Sequence, residues 1–191
     1  KMMQIPHFYV KCKVANPLKE AQIVSEIVKK NQKKSKIDAV VLGGTGLQET
    51  QLKSIQNALR PLKVDAFASH AGEEHDLVME EMLKNGYEIL ITQIASDGLK
   101  DWLGKKITKE NFHQLKKDSV KYGFHIGFEG GYADTLVTDC PMFPKKLVVE
   151  SMLVIFEDDY CGHVVIDKYR FEDKTKQELK QRRGIFAGFL R

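Results

Sequence analysis

Cysteine is scarce and scattered. Cys12, Cys140 and Cys161 are the three in 191 residues, and no Cys-x-x-Cys pair occurs. Neither a zinc knuckle nor a disulfide framework is therefore indicated, and a reducing, cytoplasmic setting is expected. No apolar run approaches the roughly 20 residues needed to cross a bilayer, and no charged-then-apolar leader opens the chain. The expectation is a soluble intracellular protein with no membrane partner. Also missing are a Gly-Lys-Ser or Gly-Lys-Thr phosphate loop and a G-x-G-x-x-G fingerprint. No Ser, His and Asp order argues for a triad, and Cys140, just before Pro141, reads as a packed thiol, so hydrolysis by a protein nucleophile is disfavoured. Long linkers, internal repeats and low-complexity tracts are absent as well.

What is present is ordinary globular material: 42% hydrophobic and 29% charged residues with a formal charge of +4. One domain with a real core is expected, or two small lobes sharing an interface. The basic runs at Lys29 to Lys34 and Gln181 to Arg183 read as solvated helix ends, where cations complement the negative end of the helix dipole. Nucleic-acid binding through them is the alternative, and would show as salt-dependent retention.

Periodicity predicts alternating strands and helices. A short strand at His7–Val14 leads through Asn16-Pro17 into a helix at Leu18–Lys33. The apolar run Ile37–Leu42 follows and ends in Gly43-Gly44-Thr45-Gly46. Next come a helix at Gln48–Leu59, a strand at Val64–Ala68, a helix at Glu73–Lys84 capped by Gly86, a strand at Tyr87–Ile94, and a helix at Lys109–Tyr122. Repeated βα units predict a parallel sheet with ligand loops at the carboxyl ends of its strands. After residue 122 the pattern changes. Lys146–Phe156 and Gly162–Phe171 read as paired strands turned at Asp158–Gly162, so the C-terminal lobe is expected to be mixed or antiparallel, with a helix at Lys176–Arg183 and an apolar tail from Gly184 to Arg191 that packs or binds. The predicted division is a nucleotide-binding-type α/β domain over 1–105 and a substrate-binding lobe over 106–191.

Four loops should share one sheet edge: the Gly43 turn, Ser69 to Gly72, Asp97 to Gly104, and the run from Glu129 through Gly130 and Gly131 to Phe143. The last joins a bare glycine pair to Glu129, Asp134 and Asp139. Glycines permit φ > 0 or close backbone approach to a bound group, and carboxylates can hold an amine or cation. An ordinary turn is the competing reading, and the convergence of loops favours a ligand site. Trp102, the single tryptophan, stands between glycines and either lines a pocket or folds onto the core. His70 and His75, with Glu73, Glu74 and Asp76, match no zinc spacing. The acids suit a helix N-terminus, and no metal is assigned to them.

The order of these loops resembles the diphthine-ammonia ligase family, a branch of the PP-loop ATP pyrophosphatases with a HUP-like sheet. The resemblance runs from about Ile5 to Phe143. It rests on Ile5-Pro6, on Gln51 after the glycine turn, on Gly98-Leu99 with Trp102-Leu103-Gly104, and on Glu129-Gly130-Gly131, Thr135, Asp139, Pro141 and Phe143. Tyr132 and Asp134 stand where the family signature has two glutamates. The Ser-Gly-Gly-Lys-Asp-Ser loop that grips ATP phosphates is not in this sequence, so an N-terminally incomplete member is expected.

The resemblance implies adenylation of a carboxylate with ATP and Mg2+, then attack by ammonia. The acceptor would be diphthine on elongation factor 2 or a small carboxylate. Gly43, Gly44, Gln51, Trp102, Gly104, Glu129, Gly130, Gly131, Asp134, Thr135 and Asp139 would lie on the acceptor side. No residue is singled out as catalytic. A non-catalytic binding module that lost the ATP loop is the alternative, and a homo-oligomer is compatible with either.

Overall fold

Asn16 starts the first helix, α1 (Pro17–Gln32), by accepting from the backbone N–H groups of Leu18 at 3.1 Å and Lys19 at 3.2 Å. Proline at the first helical position needs no donor there, and its fixed φ suits the turn. The computed structural model containing this helix describes residues 7, 9–12, 16–43, 49–69 and 72–175. It divides the chain into a unit of His7–Glu73 and one beginning at Glu74. Gly44, Ile5-Pro6, His70, the predicted helix at 176–183 and the tail lie outside the described residues.

In the first unit, β1 (Ala39–Leu42) and β2 (Asp65–Ala68) pair in parallel, with Ala39 opposite Asp65 and Leu42 opposite Ala68. α2 (Glu49–Leu59) and a short 3-10 turn at Arg60–Leu62 connect them. Ala21 and Val28 of α1, Ile55 and Leu59 of α2, and Val64 and Ala66 beside or within β2 form one buried cluster. This βαβ unit is the part of the expected parallel sheet that forms. His7 and Tyr9 to Cys12, within the predicted first strand, belong to no strand.

The second unit departs from the repeated βα reading. After α3 (His75–Lys84), β3 (Glu88–Ala95) is the central strand of an antiparallel sheet. It pairs with β4 (Lys106–Ile107) and the start of β7 (Cys161–Asp173) on one side, and with β5 (Ala133–Asp139) on the other. β6 (Lys145–Phe156) pairs along β7 as a long hairpin, and Asp158 closes it by accepting from the N–H groups of Tyr160 at 2.7 Å and Cys161 at 2.6 Å. The predicted hairpin is present. The parallel expectation for β3 fails because alternation of strands and helices fixes sequence order, not direction. Here the ten-residue return from β3 contains no crossover helix, so the chain comes back as an antiparallel neighbour. A division at residue 105 would separate β3 from β4, which pair.

α4 (Lys109–Tyr122) opens on a reciprocal cap between Thr108 and Asn111 and closes on Gly123 at φ 77°. Phe112 and Leu115 of α4, Met79 and Leu83 of α3, and Ile89, Ile91 and Ile94 of β3 form a second core with Leu99, Trp102, Leu103, Ile107, Phe124 and Phe128.

Candidate functional site

Because β5 runs antiparallel to β3, the start of one lies beside the end of the other. Ile94 faces Ala133, and the Ala95 N–H donates to the Tyr132 carbonyl at 2.8 Å. That pairing sets the turn of Gly130 (φ 97°) and Gly131 (φ 86°) at the carboxyl end of β3. β7 starts at the same end, with the Ser96 N–H donating to the Tyr160 carbonyl at 3.1 Å and Lys100 pairing with Asp159 at 2.8 Å. The loop after β3, the glycine turn and the tip of the β6–β7 hairpin therefore meet. A Cβ on Gly131 would touch nothing within 4 Å, so glycine is required there by backbone conformation, with open space above it. The Gly43 and Ser69 ends of β1 and β2 adjoin in the first unit, where the Ser69 N–H donates to the Leu42 carbonyl at 3.1 Å. The expected single edge of four loops is thus two pairs of loops on two sheets.

A histidine pair stands behind the glycine turn. His75, the first residue of α3, has Nδ1 2.7 Å from Nε2 of His125, with the rings perpendicular. The Glu129 N–H in turn donates to His125 Nδ1 at 3.3 Å. Burial first and His75 second push the His125 pKa below the usual imidazole value, against an upward pull from the Glu129 carboxylate. Gly127 lets the pair close, since a Cβ there would sit 3.2 Å from His75 and 3.3 Å from His125. Sequence reading considered His75 only as a metal ligand and missed His125, because fifty residues separate the partners. Among the described residues, no three His, Cys, Asp or Glu side chains group as a metal set, and none is assigned to Mg2+.

Asp134 and Thr135 are exposed near the start of β5, and Thr92 donates its hydroxyl to the Asp134 carbonyl at 3.2 Å. Asp139 ends the same strand, about 17 Å away at the usual rise per extended residue. It is a buried carboxylate opposite Glu88, with Lys174 Nζ 2.7 Å from Oδ1 and Lys146 Nζ 3.7 Å from Oδ2. The same Lys174 ammonium also donates to the Cys140 carbonyl at 2.6 Å. Glu129 and Asp139 consequently occupy opposite ends of β5.

Trp102 is 6% exposed, and its indole N–H donates to Asp118 of α4 at 2.9 Å. Of its two sequence readings, the structure shows the core one. Gly104, at φ 76°, lets β6 approach, because a Cβ would lie 3.3 Å from Met152 and from Val154. Gly43 is exposed at the end of β1, and Gln51 lies on α2, both in the first unit. Tyr132, in place of a signature glutamate, is half-buried against the core cluster. A separate hollow of about 630 Å3 lies along α3 and α4 with Lys109, Lys116, Lys117 and Lys121 around Leu83 and Phe112, and none of the predicted site residues lines it.

Residues 74–171 match the diphthamide synthase C-terminal domain family. The chain is 28% identical over 163 residues to a diphthine–ammonia ligase of Danio rerio, an alignment covering 82% of this chain and 63% of that protein. It is 28% identical over 138 residues to the diphthine–ammonia ligase of Bos taurus, covering 71% and 51%, and 30% identical over 134 residues to that of Mus musculus, covering 69% and 49%. The aligned regions thus span about half to just under two thirds of these relatives' lengths.

Proposed function

The chain belongs to the diphthamide synthase C-terminal domain family, and from that premise we propose that it supplies the acceptor-substrate side of an ATP-dependent carboxylate–ammonia ligase acting on diphthine of elongation factor 2. The observation that carries this reading is the Glu129-Gly130-Gly131 turn. It sits at a strand end with backbone at φ 97° and 86°, an acid on its entering side and unoccupied space above Gly131. In this reading the acceptor's own carboxylate is the acyl group, ATP with Mg2+ would activate it by adenylyl transfer with release of pyrophosphate, ammonia would displace AMP, and neither ATP nor Mg2+ is assigned to a described residue. The chain's own part is to hold a cationic acceptor. Carboxylates suit a trimethylammonium group, which offers charge but no hydrogen-bond donor, and Glu129 with exposed Asp134 provides them. Asp139 and Trp102 are left out of the contact set because each is itself buried and paired, with Lys174 and with Asp118.

Replacing Glu129 by Gln keeps the shape and removes the charge. In the intact protein it should lower amidation between about tenfold and a hundredfold, the range of a hydrogen bond or contact to a charged group. Unchanged turnover would remove Glu129 from the site. Calorimetry on this chain alone should show no tight ATP binding, and saturable tight binding would contradict assigning the nucleotide contacts elsewhere. A non-catalytic binding module is the second reading, favoured by Tyr132 in place of an acid. It predicts acceptor binding without amidation by the intact protein.

A further inference from the structure

The segment entering the glycine turn is strained. Phe128 has φ 60°, a conformation costing a bulky L-residue about 1–2 kcal/mol, yet its ring is buried and stacked near Phe124. Something must hold the backbone between His125 and Glu129 in that form. The Phe128 N–H reaches the His125 carbonyl at 2.8 Å, and the Glu129 N–H reaches the His125 ring. A backbone N–H can only donate, so Nδ1 of His125 must be unprotonated. The proton of the neutral ring then sits on Nε2, which faces Nδ1 of His75 at 2.7 Å and donates to it. His75 is thereby fixed as an acceptor at Nδ1, with its own proton on Nε2. One main-chain donor thus sets both tautomers.

We propose that His125 is the positioning residue of the Glu129–Gly131 turn, locked as the neutral Nε2–H form between the Glu129 backbone and His75, so that protonation of the pair releases the turn. A proton added to His125 Nδ1 would face the Glu129 N–H, donor against donor. One added to His75 Nδ1 would face the Nε2–H of His125 in the same way. The groups acting on His125 are His75 from α3 and the Glu129 carboxylate from its own segment, and burial adds to the opposition from His75. Its pKa lies below the ordinary value, so the lock is complete above the ordinary imidazole range and is lost as pH falls through the folded-state value. The inference deepens the proposed acceptor site, since it supplies the element that holds Glu129.

The test needs neither nucleotide nor acceptor, so its outcome is independent of the ligase reading. Nitrogen-15 spectra of the histidine-labelled chain at pH 7.5 should show the His125 ring neutral and protonated on Nε2. On acidification the Glu129 amide resonance should move with the same midpoint as the His125 ring. A His125 Nδ1–H form, or a Glu129 amide that ignores the His125 titration, would overturn the proposal. Two variants separate positioning from bulk structure. His125→Asn retains an acceptor near Nδ1 and should leave protection of the Glu129 amide, its exchange relative to the intrinsic rate at each pH, unchanged and constant between pH 5 and 8. His125→Gln places its amide near Nε2 and should speed that exchange about fivefold, the value of one neutral hydrogen bond. Equal behaviour of the two variants would refute the assignment. Should either fail to fold, the titration of the unaltered chain decides alone.

Discussion

Replacing Asp139 by alanine is expected to lower the unfolding free energy by about 3–5 kcal/mol, the cost of breaking a buried ion pair from one side. The Lys174 side chain is 4% exposed and that of Asp139 is 9% exposed, with 2.7 Å between Nζ and Oδ1. Without the carboxylate, the Lys174 ammonium would keep only the Cys140 carbonyl. Its charge would then be buried without an opposite partner, since Lys146 nearby is also cationic. Glu88, across from Asp139, cannot substitute freely. Burial pushes its pKa up, but Lys106 and Lys146 outweigh this and hold it below the usual carboxylate range, so it is already engaged. Removing both buried charges, as Asp139→Leu with Lys174→Met, should be milder than Asp139→Ala alone, because neither ion is left uncompensated. Urea unfolding of the three chains provides the measurement. A loss below about 1 kcal/mol for Asp139→Ala would mean that this cluster is solvated, and would return Asp139 to the candidates for ligand binding.

How far these features were legible in the sequence follows from the distance over which their causes act. α4 was predicted at its observed ends, because its cap at Thr108 and stop at Gly123 are set within one turn. The β6–β7 hairpin was legible for the same reason, with Asp158 folding back on its own next three residues. Strand direction was not. The consecutive residues Ile89, Leu90 and Ile91 of β3 are all buried, so both faces are covered there, and an antiparallel strand covered on both faces reads like a covered parallel one. β4 is two residues long, too short for any periodicity. The turn at Gly130 and Gly131 was legible because turn chemistry is local. The His75–His125 contact was not legible because fifty residues separate the partners, nor was the Asp139–Lys174 ion pair, whose partners are 35 residues apart. Trp102 shows the same limit, with Asp118 sixteen residues away in α4.

Gly98 makes the other large effect calculable, because two separate penalties meet there. Its φ is 77°, and an ideal Cβ would lie 2.2 Å from Cδ2, 2.4 Å from Cγ and 2.8 Å from Cβ of Tyr122 at the end of α4. The ring of Tyr122 could rotate aside, but its Cβ is fixed by the helix backbone, so rotation cannot remove the clash. Gly98→Ala should therefore cost about 1–2 kcal/mol for the left-handed conformation and about 1–3 kcal/mol for overpacking. Gly131→Ala is the matched control, with φ 86° and nothing within 4 Å of the added atom. It should show the conformational cost alone. The difference between the two in urea unfolding thus isolates the contact between the loop after β3 and the end of α4. That loop shares the carboxyl end of β3 with the Glu129 turn, so forcing it away from α4 should also disturb the Ser96–Tyr160 and Ala95–Tyr132 hydrogen bonds. Faster amide exchange at Ala95 and Ser96 in Gly98→Ala than in Gly131→Ala would show that α4 supports the site from behind. Equal exchange and equal stability in the two variants would show that Tyr122 yields and the site is held by its strands alone.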